Sequence, residues 1–145
     1  MGFCKSILRL FGWRVLCTVP DYPKSIICVA PHTSNWDFVL GKFAWWSLGR
    51  KAGFLMKEAW FFFPMKYLFR AMGGIPVSRR RGSSLSEAII HKFDTSESLC
   101  IAITPEGTRA RVSQWRTGFL HIAYEARVPI VLGAIDAANK LVHLE

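Results

Sequence analysis

A histidine and an aspartate stand five positions apart in the segment APHTSNWDF, residues 30–38. The apolar run before it predicts a buried strand, and the residues after it predict a helix that begins at Ser34 or Asn35. His32 then lies in the loop and Asp37 in the first helical turn, where a carboxylate is favoured. An acidic partner fixes the imidazole tautomer and leaves the other nitrogen free to take a proton from a hydroxyl. The pair fits a general base, and it equally fits a loop histidine beside an ordinary acid at a helix start.

Two further segments carry guanidinium groups at the ends of predicted strands. ITPEGTRAR places Glu106, Gly107 and Arg109 in a turn, and IPVSRRR ends a strand at Arg79. A guanidinium binds phosphate through two parallel hydrogen bonds, so both segments fit a phosphate site. A surface turn and a solvated or membrane-facing arginine patch are the alternative interpretations.

Short apolar runs alternate with helical patterns along the chain. The predicted strands are 25–30, 52–57, 75–79, 98–104 and 128–136, and the predicted helices are 34–50, 63–73, 83–97 and 117–127. This alternation predicts a single layered α/β domain, a mostly parallel sheet flanked by helices. Reactive residues of such sheets lie beyond the carboxyl ends of the strands. We therefore expect His32, Arg79 and the PEGTR segment to face one crevice.

Four segments together resemble the glycerolipid acyltransferase family, which includes the 1-acylglycerol-3-phosphate and glycerol-3-phosphate acyltransferases. HTSNWD, GGIPVSR, TPEGTR and VPIVLGAID occur here in the order typical of that family, from His32 to about Asp136. One H-x-x-x-x-D pattern is common, whereas this series of four is specific. The resemblance implies one acyltransferase domain over residues 1–145, with a catalytic core at 25–136.

The resemblance also implies a reaction. His32 would be the general base that deprotonates the acceptor hydroxyl, and Asp37 would orient it. The hydroxyl oxygen would attack the acyl thioester of coenzyme A or acyl carrier protein and expel a thiolate. The acceptor would be a lysophospholipid, with 1-acylglycerol-3-phosphate as the first expectation, in phospholipid biosynthesis. The resemblance implies no metal and no cofactor beyond the thioester co-substrate.

Other residues receive binding roles from the same resemblance. Arg79, Glu106, Gly107 and Arg109 would hold the phosphate or glycerol of the acceptor. Lys57, in MKEAWFFFP, would add positive charge near the phosphate, or it is a strand-end lysine in water. The fourth block would line the acyl side or buttress the sheet through Val128, Pro129 and Ile130.

The composition favours a membrane surface over nucleic acid as partner. There are 19 Lys+Arg against 10 Asp+Glu, giving +9, while 51% of the residues are hydrophobic and 14% are aromatic. A bilayer surface offers both an anionic plane and an apolar layer. No apolar run is long enough for a transmembrane helix, and the four cysteines lack C-x-x-C spacing, as in reduced cytosolic thiols. We expect a peripheral protein on the cytoplasmic face of a membrane, with no nucleic-acid partner.

Two segments could contact that membrane. Residues 1–20 predict an amphipathic interface helix, although a helix packed on the domain fits the same pattern. Its apolar positions are Phe3, Ile7, Leu8, Leu10, Phe11, Val15 and Leu16, interleaved with Lys5, Arg9 and Arg14. The second segment is the aromatic cluster within residues 60–69, which fits a membrane-facing or acyl-facing patch or part of the core.

Two alternatives to the proposed acceptor chemistry stay open. One is acylation of a different lysolipid, such as one with an amino-acid headgroup, and the other is a non-catalytic membrane-surface binding protein of the same fold. The sequence ends sixteen residues after Pro129, earlier than the resemblance leads us to expect. We therefore expect a truncated C-terminus or a final Leu-Glu that belongs to a tag.

Overall fold

The computed structural model describes residues 2–30, 35–77, 85–104, 113–114 and 117–145. Its helices are α1 (Gly2–Leu10), α2 (Asn35–Ser47), α3 (Met65–Ala71), α4 (Leu85–Thr95) and α5 (Gly118–Ala126). Its strands are β1 (Arg14–Cys17), β2 (Lys24–Ala30), β3 (Gly53–Lys57), β4 (Gly74–Val77), β5 (Leu99–Ile103), β6 (Ile130–Asp136) and β7 (Leu141–Leu144). A single 3₁₀ turn, Glu58–Trp60, follows β3.

One mixed sheet organises the described residues. Its seven strands lie in the order β1-β7-β6-β2-β5-β3-β4. The five strands from β6 to β4 are mutually parallel, whereas β7 is antiparallel to β6 and β1 is parallel to β7. The predicted α/β fold with a mostly parallel sheet is thereby confirmed.

Helices cover the sheet on two sides. On one side α2 packs against the strands through the buried Ala44 and Trp45, and α1 lies beside α2. On the other side α4 and α5 pack together on Ile26 and Ile101, with Phe93 of α4 fully buried. The central strands are buried on both faces, which explains why β2 is a continuous apolar run and does not alternate with polar residues.

The N-terminal segment differs from the helix expected over residues 1–20. The helix ends at Leu10, and Gly12 adopts φ +79°, a left-handed conformation that glycine favours. Val15, which we expected on the helix, instead lies in β1 and pairs with Val142 of β7. The reason is a backbone partner 127 positions away, which local periodicity does not reveal.

The far end of the chain is also part of the sheet. Leu144 is buried, and the backbone groups of Glu145 and Leu132 exchange two hydrogen bonds of 2.6 and 2.9 Å. The final Leu-Glu is therefore integrated into the β6–β7 hairpin.

Candidate active site

The carboxyl ends of five parallel strands meet at one edge of the sheet. These ends are at Asp136, Ala30, Ile103, Lys57 and Val77, in the order of β6, β2, β5, β3 and β4. The segments with the predicted reactive residues follow three of these strands: His32 after β2, Arg79 after β4, and Glu106, Gly107 and Arg109 after β5. Those residues lie outside the described ranges, so their roles stay predictions. The strand ends that carry them do share one edge.

The topology reverses between β2 and β5. After β2 the chain crosses one face of the sheet as α2 and reaches β3, whereas after β5 it crosses the opposite face as α5 and reaches β6. Ligands of open α/β sheets bind in the crevice at such a switch point, beyond the carboxyl ends of the strands. The HTSNWD and TPEGTR segments leave the sheet from the two strands that flank this position.

At the switch point, the strand registers make β5 end before its two neighbours. Cys28 of β2 pairs with Ile103, the last residue of β5, so β2 continues two residues further to Ala30. On the other side β3 pairs with β5 only through Gly53 and Phe54, and its remaining residues pair with β4 alone. The end of β5 is therefore recessed between two neighbours that extend further.

Asp37 lies where the sequence predicts it. It occupies the first turn of α2, which begins at Asn35, five residues after the end of β2. Its side chain is partly buried, in contrast to the neighbouring Trp36, which is exposed. The first turn of α2, where a carboxylate is favoured, thus follows directly on the segment that contains His32.

Lys57 also lies at this edge. It is the last residue of β3 and pairs with Val77, the last residue of β4. Arg79 follows Val77 by two positions, so the two predicted cations belong to adjacent chain segments.

The fourth block lies at the opposite end of the sheet. Pro129 precedes β6, and its carbonyl accepts a hydrogen bond of 3.0 Å from the N–H of Ile26, near the start of β2. Val128 and Ile130 pack against the core cluster that α4 and α5 form with the sheet. The register from Ile26 to Ala30 spans about 13 Å. Of the two roles expected for these three residues, this placement favours buttressing the sheet.

Among the described residues, Asp136 and Lys42 have shifted pKa values, and neither is a predicted site residue. Hydrogen bonds from the side chain and the backbone N–H of Asn139, at 2.7 and 3.1 Å, lower the pKa of Asp136. Its carboxylate therefore caps the hairpin turn to β7. Burial lowers the pKa of Lys42, whose ammonium donates to the Ala52 carbonyl near the amino ends of the strands.

Sequence reasoning did not single out Trp36. Its indole stands beside Asp37 and is 77% exposed. No local signal set it apart, because Val39, Leu40 and Phe43 follow it at the spacing of a core-facing stripe. Within the described ranges no helix is long and apolar enough to cross a membrane, and no three His, Cys, Asp or Glu side chains form a metal cluster.

These features define an α/β protein with its polar loops at the switch point of a doubly wound sheet. The family model described as Acyltransferase matches residues 17–135 of the chain. The chain therefore belongs to the glycerolipid acyltransferase family, and its general activity is acyl transfer. Comparison with curated proteins and with solved structures gave no match.

Proposed function

We propose that this protein transfers a fatty acyl group from a thioester to the free hydroxyl of a lysophospholipid, with 1-acylglycerol-3-phosphate as the acceptor. The observation that carries the proposal is the departure of the His32 and TPEGTR segments from adjacent strands at the switch point. The first segment supplies a base and the second a guanidinium, which are the two groups that a phosphorylated alcohol requires.

His32 starts the reaction as a general base. Its imidazole takes the proton of the acceptor hydroxyl while the hydroxyl oxygen bonds to the thioester carbonyl carbon. The tetrahedral intermediate then collapses, the carbon–sulfur bond breaks, and the thiolate leaves. The imidazolium returns the proton to that sulfur, so no proton is gained or lost overall. Asp37 holds the ring in the required tautomer and stabilises the imidazolium.

The acceptor phosphate binds on the β5 and β4 side of the recess. Arg109 and Arg79 contribute bidentate donors, Lys57 adds a point charge, and Glu106 and Gly107 shape the turn and contact the glycerol. The register supports this assignment, because β5, which leads into the TPEGTR segment, ends between β2 and β3 at the edge where Lys57 ends β3.

The substrates place the enzyme at a membrane. A lysophospholipid and its diacyl product both reside in a bilayer, so we propose peripheral association with the cytoplasmic face. The thioester donor, of coenzyme A or acyl carrier protein, arrives from the aqueous side.

Mass analysis of the lipid product tests the proposal. The protein is incubated with palmitoyl-coenzyme A and, in separate reactions, with 1-acylglycerol-3-phosphate, glycerol 3-phosphate or a lysolipid with an amino-acid headgroup. The proposal predicts a product heavier by one acyl group, formed fastest from 1-acylglycerol-3-phosphate. Faster acylation of another lysolipid would replace the acceptor, and no acylated product from any of them would contradict acyl transfer to lipids.

A further inference from the structure

Exposed aromatic and leucine side chains line one side of the edge that carries the candidate active site. We call them the aromatic rim: Leu10, Phe11, Trp36, Phe62, Phe63 and Tyr67. All six are exposed, with Phe11 at 63%, Trp36 at 77% and Phe63 at 75%.

Contacts and topology fix each part of the rim at this edge. Phe11 directly follows α1, and its carbonyl accepts a hydrogen bond of 3.1 Å from the Lys140 ammonium, in the hairpin that leaves the carboxyl end of β6. Trp36 is the second residue of α2, directly beyond β2. Phe62 and Phe63 stand between the carboxyl end of β3 and the start of α3. The right-handed crossover from β3 to β4 puts α3 on the same side of the sheet as α2.

The helix α1 uses only part of its apolar surface for packing. Leu8 is buried against the domain, and Cys4, one turn earlier, is partly buried. Phe3 and Leu10, which are seven positions apart on a neighbouring stripe, are exposed. A helix that needed only to cover the domain would not carry this second apolar stripe.

The rim carries the charge that an anionic bilayer requires. Arg9 and Lys140 lie beside its α1 part, and Lys66 and Arg70 lie on α3, with the Lys66 ammonium 5.1 Å from the centre of the Tyr67 ring. Among the described acids nearby, Glu58 is exposed, whereas Asp37 and Asp136 are partly buried, and Asp136 is hydrogen-bonded to Asn139. Aromatic side chains interleaved with cations are typical of the membrane interface. Two copies of the protein joined through this face would bring like charges together, which disfavours a second copy as the occupant.

We infer that the aromatic rim is the membrane-docking face, and that it turns the switch-point crevice toward the bilayer. The inference rests on the proposed function for its consequence, which is that a lipid acceptor reaches His32 without leaving the membrane. The docking face has two anchors, the end of α1 on one side of Trp36 and residues 62–67 on the other. We therefore expect each anchor to contribute to the membrane affinity by itself.

Vesicle flotation of paired variants tests the docking face. The vesicles are phosphatidylcholine with about one third phosphatidylglycerol. The variants are L10S/F11S and F62S/F63S, and the control is L120S/Y124S, on the exposed side of α5 in the opposite helical layer, where Tyr124 is 81% exposed. We expect each rim pair to lower the partition coefficient at least about tenfold and the control to change it less than about twofold. Circular dichroism verifies that all three variants are folded.

Equal binding of the rim variants and the parent, or an equal loss in the control, would overturn the inference. A rim variant that changed only the oligomeric state would also overturn it, in favour of a second copy.

An activity arm separates this inference from the proposed function. With a short-chain lysophosphatidate below its critical micelle concentration, the rim variants should retain the parent's kcat/KM within about twofold, because binding of a soluble acceptor does not need docking. When the acceptor is in vesicles, the kcat/KM of the rim variants should fall about tenfold below that of the parent. If neither the parent nor any variant acylated an acceptor, that result would contradict the proposed function. Weaker vesicle binding of the rim variants than of the parent would then still support the docking face.

Discussion

Cys28 of β2 is paired in register with Ile103, the last residue of β5, so the two adjacent strands end two residues apart. Neighbouring strands lie about 4.8 Å apart, so the loops that follow them start close together. The first of these loops contains His32 and the second contains Glu106 and Arg109. This register is the structural reason to assign the base and the phosphate ligands to one site.

Asp37 should be needed for turnover more than for folding. In the proposed mechanism its charge stabilises the His32 imidazolium, so we expect Asp37→Asn to lower kcat at least about 100-fold with little change in KM. The loss of an acid from a first helical turn costs only about 0.3–1 kcal/mol in the free energy of unfolding. Steady-state kinetics and urea unfolding measure the two effects.

Glu87→Gln is the matched control for Asp37→Asn, because Glu87 occupies the first turn of α4 on the opposite side of the sheet. It should give a similar small loss of stability and unchanged kcat. Equal effects of the two variants on kcat would mean that Asp37 acts only as a favourable charge in the first turn of its helix.

Arg109→Lys should weaken binding of the phosphorylated acceptor. The substitution keeps the charge but removes the planar pair of donors, so we expect KM for lysophosphatidate to rise about tenfold. Arg127→Lys makes the same chemical change just after α5, near the amino end of β6, and should leave KM unchanged. A KM measured over several salt concentrations checks this, and unchanged KM in Arg109→Lys would place the guanidinium outside the site.

Arg50 should stabilise the fold more through its contacts with the Val19 carbonyl and the Trp45 ring than through its ion pair with Asp21. Its guanidinium donates to the Val19 carbonyl at 2.9 Å and stacks 5.4 Å from the Trp45 ring centre. Arg50→Ala should lower the free energy of unfolding by about 1–3 kcal/mol. Asp21 is 68% exposed and 3.5 Å from the Arg50 Nε, so Asp21→Asn should cost less than about 0.5 kcal/mol. Urea unfolding distinguishes the two, and equal losses would assign the effect to the ion pair.

Lys42 should make the free energy of unfolding vary with pH in the alkaline range. Burial lowers its pKa in the folded state, so between that lowered pKa and the ordinary lysine pKa of 10.5 the unfolded chain binds more protons than the folded one. The free energy of unfolding contributed by this group therefore rises with pH across that window. Lys42→Met should remove the rise, whereas Lys51→Met, at an exposed position, should leave it in place. Urea unfolding from pH 8 to about pH 10.5 measures it, and an identical pH slope in Lys42→Met would contradict the assignment.

The sequence was sufficient for the elements that form the core. The strand SIICVA, the helix that starts near Asn35 and the helix over 117–127 all occur within a few residues of their predicted bounds. Each has a strong local signal, either a continuous apolar run or a 3.6-residue period with a polar start.

The edge of the sheet was not predictable in the same way. β1 and β7 have four residues each, and they pair with each other across most of the chain length. Such short segments have little periodicity, and RVLC continues a helical pattern from α1. The strand order, and with it the switch point between β2 and β5, likewise depends on pairing that no local pattern contains. Candidate site residues could thus be proposed from the sequence and stay predictions, whereas the recess at Ile103 required the structure.

Acceptor-dependent thiol release tests the central assignment most directly. Release from palmitoyl-coenzyme A is followed with and without lysophosphatidate in mixed micelles, for the parent, His32→Ala and His91→Ala, the last at an exposed position on α4. The proposed function predicts release that requires the acceptor, falls at least about 100-fold in His32→Ala and is unchanged in His91→Ala. Acceptor-dependent release that persisted in folded His32→Ala would contradict the role of His32 as the general base.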